Sequence, residues 1–198
     1  MDLHTLLVWF GLIFVYEGPY QGAIVKFQMN IPQEYPLAPP TILLIHELFH
    51  PLIHMSNAVS LAHAFPTWHQ FHHSIYHVLL AFKDIFSTRL LQSLQSQPPQ
   101  YCPDKQAHKI LSADWSSYLD MCRKAVALIT DKEILLDNLP PSNPIRIFDL
   151  PDGQFEELKR ELYSKSVISL KSKDYSSESN GKGGIVRVLS GLGKLILG

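Results

Sequence analysis

Residues Ile31–Pro40 read IPQEYPLAPP, a segment that contains Pro32, Pro36, Pro39 and Pro40. Proline has no backbone N–H, so it is excluded from the middle of a hydrogen-bonded strand ladder. Apolar runs lie on both sides of the segment, AIVKFQMNI (23–31) before it and TILLI (41–45) after it. We therefore predict that residues 31–40 form the crossing between two strands.

A third apolar run, WFGLIFVY (9–16), precedes the turn sequence EGPYQG (17–22). Aromatic and β-branched residues bounded by Gly and Pro are typical of strands and turns. Because short connections join only neighbouring antiparallel strands, the three runs predict a small antiparallel meander.

Helical spacing replaces the strand pattern after Trp68. Apolar residues then recur every three or four positions, which places them on one helix face against the sheet: Phe71, Ile75, Val78, Leu79, Phe82 and Phe86. A second helical region is predicted over residues 104–129. A sheet followed by helices indicates an α+β fold.

Composition limits the class of protein. A chain of 198 residues with 46% hydrophobic content is long enough for one domain with extensions. Its Lys+Arg 17 and Asp+Glu 18 nearly cancel, which argues against nucleic-acid binding. The run Leu6–Tyr16 is too short to span a membrane and has no basic flank, so we expect a cytoplasmic protein.

We predict three parts along the chain: a domain over 1–130, a proline-rich strap over 131–153, and a helix with a tail over 154–198. In Gln154–Tyr163 the side chains of Phe155, Leu158 and Leu162 share one face, which makes them candidate partner-binding residues. The tail Ile185–Leu197 has helical apolar spacing. It is interpreted as a membrane-surface helix, a partner-docking helix or a frayed end.

Four motifs carry a resemblance to a known family. Tyr20-Gln21-Gly22, the segment 31–40, Phe49-His50-Pro51 and Trp68 resemble, in order and approximate spacing, the core of ubiquitin-conjugating enzymes (E2) over residues 5–125. The family pattern is Y-x-G, fP-x-x-YP-x-x-PP, HPN, a catalytic Cys and W. The AKT-interacting protein (Fused Toes) family of non-catalytic E2 variants is a branch that this chain resembles in more detail, through WFGLIFVYEGPYQ (9–21), FHPL (49–52), AFPTW (64–68) and IYHVLLAFKDIF (75–86). The resemblance implies a UBC-like fold, with the meander packed against C-terminal helices.

The sequence departs from the E2 pattern at the residues that carry the chemistry. The resemblance places Ser60 at the nucleophile position, or Val59 or Leu61 with a shift of one residue, and Leu52 at the position of the HPN asparagine. A cysteine is nucleophilic at neutral pH because part of it is thiolate, whereas a serine needs an adjacent base. Losing one oxyanion donor costs about 10²- to 10³-fold in rate. We therefore expect no enzyme activity and no cofactor.

A helix before the first strand is also part of the resemblance, and here the first strand begins almost at residue 1. We expect that helix to be missing, or the sequence to derive from a truncated gene model.

The resemblance implies a catalytically inactive adaptor that assembles with Hook-family coiled-coil and Hook-interacting proteins in endosomal or vesicle trafficking along microtubules. An AKT-type kinase is a further implied partner. The alternatives are residual ubiquitin transfer through Ser60 or Cys102, and weak non-covalent ubiquitin binding.

Two other groups of residues contain side chains that can carry chemistry. Cys102 and Cys122 are the only cysteines, and they form no CxxC pattern, so we interpret both as packing residues of a protein from a reducing compartment. His69, His73 and His77 have the i, i+4, i+8 spacing of metal ligands on one helix face. No acidic residue or cysteine completes the set, so we predict a solvated polar face and no metal.

Overall fold

The computed structural model describes residues 7–137, 140–171 and 195–197. These residues form two compact units, Met1–Ile145 and Arg146–Gly198. Among the described helices, none is both long enough and apolar enough to cross a bilayer.

The first unit begins with a three-stranded antiparallel sheet. Its strands are β1 (Val8–Phe14), β2 (Ile24–Asn30) and β3 (Thr41–Leu44), in the spatial order β1-β2-β3. Phe14 is opposite Ile24 at the β1–β2 end, and Phe27 is opposite Leu44 across β2 and β3. The predicted meander is confirmed, and residues 31–40 form the crossing between its second and third strands.

The helices of the first unit follow the sheet in sequence. They are α1 (Ile75–Asp84), α2 (Thr88–Gln95), α3 (Lys105–Ala113), α4 (Trp115–Ile129) and α5 (Lys132–Leu136), with a 3-10 turn at Pro99–Tyr101. Side-chain oxygens cap several of their N-termini, which satisfies backbone N–H groups that have no partner within the helix. Ser87 caps α2, Asp104 caps α3 and Asp114 caps α4. The α+β class predicted from the sequence is confirmed.

Two details of the helix prediction are wrong. Phe71 is 87% exposed and lies before α1, which begins only after Ser74, a residue with extended backbone angles. The predicted region 104–129 is two helices, because Asp114 is extended and ends α3 while its carboxylate caps α4. Val78 and Phe82 do belong to the buried face of α1.

Aromatic packing joins the sheet to α1. The rings of Phe27 on β2 and Phe82 on α1 meet edge to face, with centroids 4.9 Å apart. Gly11 on β1 is opposite Phe27, and a Cβ at Gly11 would lie 2.4 Å from the Phe27 ring. The glycine therefore leaves the space that the ring occupies.

A buried lysine joins the sheet to α5. Lys26 on β2 is 5% exposed, and its Nζ donates to the carbonyl oxygens of Ile134 and Asp137 at the C-terminal end of α5. Burial lowers the pKa of Lys26, while Asp137 acts in the opposite direction. A cation at this end of a helix bonds carbonyls that lack intrahelical partners.

The second unit contains β4 (Ile147–Asp149), α6 (Asp152–Lys171) and β5 (Leu195–Leu197), with β4 and β5 antiparallel. The helix predicted at Gln154–Tyr163 lies within α6, which is longer. The tail Ile185–Leu197 was interpreted as a membrane-surface helix, a partner-docking helix or a frayed end, and its last residues, Leu195–Leu197, form β5. The rest of the tail lies outside the described residues. The predicted strap 131–153 includes α5 and β4, so it is not wholly irregular.

Candidate functional site

The site begins with two tyrosines buried behind the His-Pro segment. Tyr20 Oη donates to the carbonyl oxygen of Phe49 at 2.7 Å, and it is 2.8 Å from Tyr118 Oη on α4. Because the Tyr20 hydrogen is directed to Phe49, Tyr118 is the donor in the second bond. Both tyrosines are fully buried, and burial raises their pKa values well above the ordinary range. The network fixes the backbone at the entrance to the segment.

His50 is held by a bond at each ring nitrogen. The N–H of Leu52 donates to His50 Nδ1 at 3.0 Å, and Nε2 lies 2.9 Å from the carbonyl oxygen of Ile85. Since Nδ1 is an acceptor, the proton is on Nε2, which donates to Ile85. His50 therefore ties the segment to the end of α1.

This arrangement requires a neutral ring. His50 is fully buried, and burial lowers its pKa to about 4. The bond to Ile85 raises the pKa and nearby His63 lowers it, both to a smaller extent. A neutral ring at physiological pH has one donor and one acceptor, and both are used. His50 is thus a structural residue in this geometry, not an available base.

The structure brings Leu52 and Ser60 together. The N–H of Ser60 donates to the carbonyl oxygen of Leu52 at 2.8 Å, and Ile53 and Val59 form a β-bridge between the same two stretches. The Leu52 side chain is 1% exposed and belongs to the hydrophobic core. It has no polar atom to donate towards a substrate oxygen, whereas Ser60 is only partly buried.

Ser60 has no activating base in the described part of the chain, where no hydrogen bond joins its Oγ to His54, His63 or another residue. Both ring nitrogens of His63 are buried without a hydrogen-bond partner in the same residues. Burial lowers the pKa of His63, and Asp84 opposes this shift to a smaller extent. A serine without a bonded base is a weak nucleophile.

Trp68 ties this region to the proline-rich crossing. Its Nε1–H donates to the carbonyl oxygen of Pro36 at 2.7 Å, and its ring meets Phe65 edge to face with centroids 5.7 Å apart. Three of the sequence motifs therefore meet a neighbouring segment through specific bonds: Tyr20 at Phe49, His50 at Ile85, and Trp68 at Pro36.

The comparison with protein families decides the assignment. The family described as "Ubiquitin-conjugating enzyme" matches residues 1–126, well over half of the chain. The chain belongs to the ubiquitin-conjugating enzyme family. This confirms the UBC-like fold expected from the motifs.

Within the family, the chain is similar to proteins of the AKT-interacting group, as the motifs predicted. It is 39% identical to Protein AKTIP homolog of Nematostella vectensis over 84 residues, which cover 41% of this chain and 28% of the relative. It is 38% identical to AKT-interacting protein of Mus musculus over 84 residues, which cover 41% of this chain and 29% of that relative. Protein crossbronx of Drosophila virilis is 26% identical over 141 residues, which cover 70% of this chain and 57% of that relative. The match thus spans less than two thirds of each relative.

Neither cysteine of this ubiquitin-conjugating family member is placed as a nucleophile. Cys102 is 1% exposed behind the 3-10 turn, and burial, with a smaller contribution from Asp104, raises its pKa to about 11. Cys122 is fully buried on α4, and burial raises the pKa of its thiol. Both are therefore thiols rather than thiolates at neutral pH.

The histidine stripe is not on a helix. His69 and His73 lie in a turn before α1, where the N–H of His69 donates to His73 Nδ1 at 3.0 Å, and only His77 is helical. The rings still lie near one another, with centroids 5.6 Å apart for His69 and His73 and 6.5 Å for His73 and His77. In the described residues, no group of three or more His, Cys, Asp or Glu is arranged to hold a metal.

The predicted partner-binding residues lie in the second unit. Phe155 and Leu158 are partly buried on α6, and Leu162 is 50% exposed. Lys159 lies over the Phe155 ring, 5.9 Å from its centroid.

Two contributors to the site were not identified as such from the sequence. Tyr118 lies within the predicted helical region 104–129, but its hydroxyl bond to Tyr20 spans 98 positions and has no local signal. The Ile85 carbonyl is a backbone group, so no residue type marks it. The His-Pro motif itself was the available indication that His50 needed partners.

Proposed function

We propose that this chain is a catalytically inactive E2-like adaptor rather than a ubiquitin-transferring enzyme. One observation carries the proposal: Ser60 and Leu52, which the motif spacing aligns with the nucleophile and the HPN asparagine, are bonded through their backbones and offer neither a thiol nor an oxyanion donor. Removing one oxyanion donor costs about 10²- to 10³-fold, and replacing the thiol by an unassisted hydroxyl adds to that loss. The framework of the enzyme remains, without its chemistry.

As an adaptor, the chain assembles with a Hook-type coiled-coil protein and a Hook-interacting protein in endosomal or vesicle trafficking along microtubules. Similarity to proteins named AKT-interacting protein supports an AKT-type kinase as a further partner. The working location is the cytoplasm, peripheral to vesicle or plasma membranes. Residues 1–130 act as the UBC-like domain, 131–153 as a strap, and 154–198 as the partner-binding extension.

The partner surface within this proposal is the apolar face of α6. Phe155, Leu158 and Leu162 follow the helical period, and Leu162 is half exposed, so a coiled-coil partner can bury them. Arg160 is exposed and lies on the opposite side of the helix. That position provides a matched control for substitutions on the apolar face.

The test is a pull-down between the purified full chain and purified Hook-type coiled-coil protein, Hook-interacting protein or AKT-type kinase. Leu158→Asp with Leu162→Asp is expected to abolish recovery of the coiled-coil partner, whereas Arg160→Asp retains it. Recovery that is unchanged in the double variant would exclude α6 as the surface. Failure of the unmodified chain to recover any of the three would contradict the adaptor function.

A second candidate is weak non-covalent ubiquitin binding, which membership of the ubiquitin-conjugating enzyme family supports. Titration of isotope-labelled ubiquitin with the full chain distinguishes it. Chemical-shift changes that saturate would establish this function, and unchanged spectra at millimolar concentration would remove it.

A further inference from the structure

Strand β1 is apolar along its whole length, and its residues are partly buried or exposed rather than fully buried. Its sequence VWFGLIF has no charged residue and no proline, and none of its 7 residues is buried. Trp9 is 46% exposed. Proteins normally protect an edge strand with charges, proline or a covering segment, because an unpaired apolar edge is a template for another strand. β1 has no such charge or proline.

The hydrogen bonds show which backbone groups of β1 are available. The N–H of Val15 donates to Ala23 at 3.0 Å, and the carbonyl of Leu7 accepts from Ile31 at 2.7 Å. In an antiparallel pair, successive residues direct these groups to alternate sides. The odd-numbered residues therefore face β2, and Val8, Phe10, Leu12 and Phe14 direct their N–H and C=O groups the other way. No described strand pairs with that edge.

A groove of about 440 Å³ runs between the end of β1 and α1. Ile13, Val15, Leu80 and Phe86 contribute apolar surface to it. Leu80 is 46% exposed, and Tyr16, which also lines the groove, is 58% exposed. The open edge and this edge groove meet at Phe14, which directs its backbone groups to the open edge and also lines the groove.

Charge at the rim indicates the chemistry of an occupant. Lys83 lines the edge groove, and within the described residues its ammonium has no ion-pair partner. Asp84 next to it lies 3.5 Å from Arg89, so that carboxylate is already partly neutralised. Glu17 at the other rim also has no described ion pair. A bound segment with an acidic residue at Lys83 and a basic residue at Glu17 would complement this rim.

We propose that β1 is the docking site for an extended, mainly apolar segment of a partner protein, which adds to the sheet as a fourth strand and places an acidic side chain against Lys83. This inference rests on the proposed adaptor function and adds a surface to it. Main-chain pairing supplies recognition in such strand addition, and side-chain pockets supply specificity. A second copy of the chain complements Lys83 less well, because VWFGLIF contains no carboxylate.

The test uses the full chain and two fluorescent peptides with the same alternating valine and threonine core, one ended by aspartates and the other by lysines. Leu12→Pro removes an N–H that faces the open edge and leaves the bonds to β2 intact. Leu12→Thr is its control, since it shortens the same side chain but keeps the N–H. Lys83→Glu is matched by Lys124→Glu, an exposed lysine on α4.

The aspartate peptide is expected to bind and to slow amide exchange at Val8, Phe10, Leu12 and Phe14. Leu12→Pro should raise its Kd about tenfold or more, and Leu12→Thr far less. Lys83→Glu should shift the preference between the two peptides about two- to fivefold towards the lysine peptide, while Lys124→Glu leaves it unchanged. Protected amides at Gly11 and Ile13 in each variant would confirm that the sheet is folded.

Three results would overturn the proposal. The first is no binding of either peptide, or binding that Leu12→Pro does not weaken. The second is concentration-dependent dimerisation lost in Leu12→Pro, which would assign the edge to a second copy. The third is slow exchange of all four outward amides in the free monomer, which would mean that the chain covers its own edge. None of these outcomes depends on α6 or on ubiquitin transfer, so a failed adaptor test is distinguishable.

Discussion

Replacement of His50 by glutamine should flatten the pH dependence of stability. The folded-state pKa of His50 is about 4, against an ordinary value of 6.5, because the ring is buried and neutral. Below pH 6.5 the unfolded chain binds a proton that the folded chain does not, so stability falls as pH decreases towards 4. The stability that neutral His50 contributes is fully present above about pH 7.5, where the ring is neutral in both the folded and the unfolded chain.

The size of the effect follows from these two pKa values. Between about pH 8 and about pH 5, the preferential protonation of unfolded His50 costs about 2 kcal/mol of unfolding free energy. Burial lowers the pKa values of His46 and His63 as well, so these residues act in the same direction. His50→Gln should therefore remove about 2 kcal/mol from the total loss and leave a shallower slope.

Urea unfolding followed by tryptophan fluorescence provides the measurement, because Trp9, Trp68 and Trp115 all lie in the first unit. His54→Gln is the matched control, since it makes the same substitution at an exposed histidine. His50→Gln also lowers stability at every pH, because it removes the two hydrogen bonds of the ring. The test therefore compares the slope of the unfolding free energy against pH, and not its absolute value. An identical slope in His50→Gln and wild type would refute the assignment of His50 as a buried neutral ring.

Three further changes test the packing. Gly11→Ala places a Cβ against the Phe27 ring, and we expect it to lower the free energy of unfolding in urea by about 1–3 kcal/mol. An unchanged free energy would mean that the ring moves freely. Tyr20→Phe should lower the free energy of unfolding more than Tyr118→Phe, because it leaves both the Phe49 carbonyl and the Tyr118 hydroxyl without their partner. Tyr118→Phe removes one hydrogen bond, worth about 0.5–1.5 kcal/mol. The reverse order would contradict the network. Lys26→Met should speed amide exchange in α5 more than in the sheet, and uniform exchange would refute its local role.

The sheet and the site framework were predictable because their signals are local. Prolines at 31–40 exclude a central strand, and the runs beside them have strand composition, so the meander followed directly. The motif spacing placed Ser60 and Leu52 in one region, and the structure bonds them to each other. The alignment of Ser60 with the nucleophile and of Leu52 with the HPN asparagine stays a prediction.

The wrong helix predictions have physical explanations. Phe71 fits the apolar spacing of α1, but spacing cannot locate the helix start, which the extended Ser74 sets. Asp114 divides the second helical region, and its carboxylate capping of α4 is an N-cap signal that the sequence contained. Lys26 bonds carbonyls 108 and 111 positions away, a long-range contact without a local pattern.

The central claim, that the E2 framework here carries no transfer chemistry, is tested most directly by the intact mass of the full chain after incubation with activating enzyme, ATP and ubiquitin. A conjugating enzyme with its catalytic cysteine serves as the positive control. We expect an unchanged mass for this chain, while the control gains one ubiquitin. A ubiquitin adduct that thiol or base removes, and that disappears in Ser60→Ala or Cys102→Ser, would contradict the central claim.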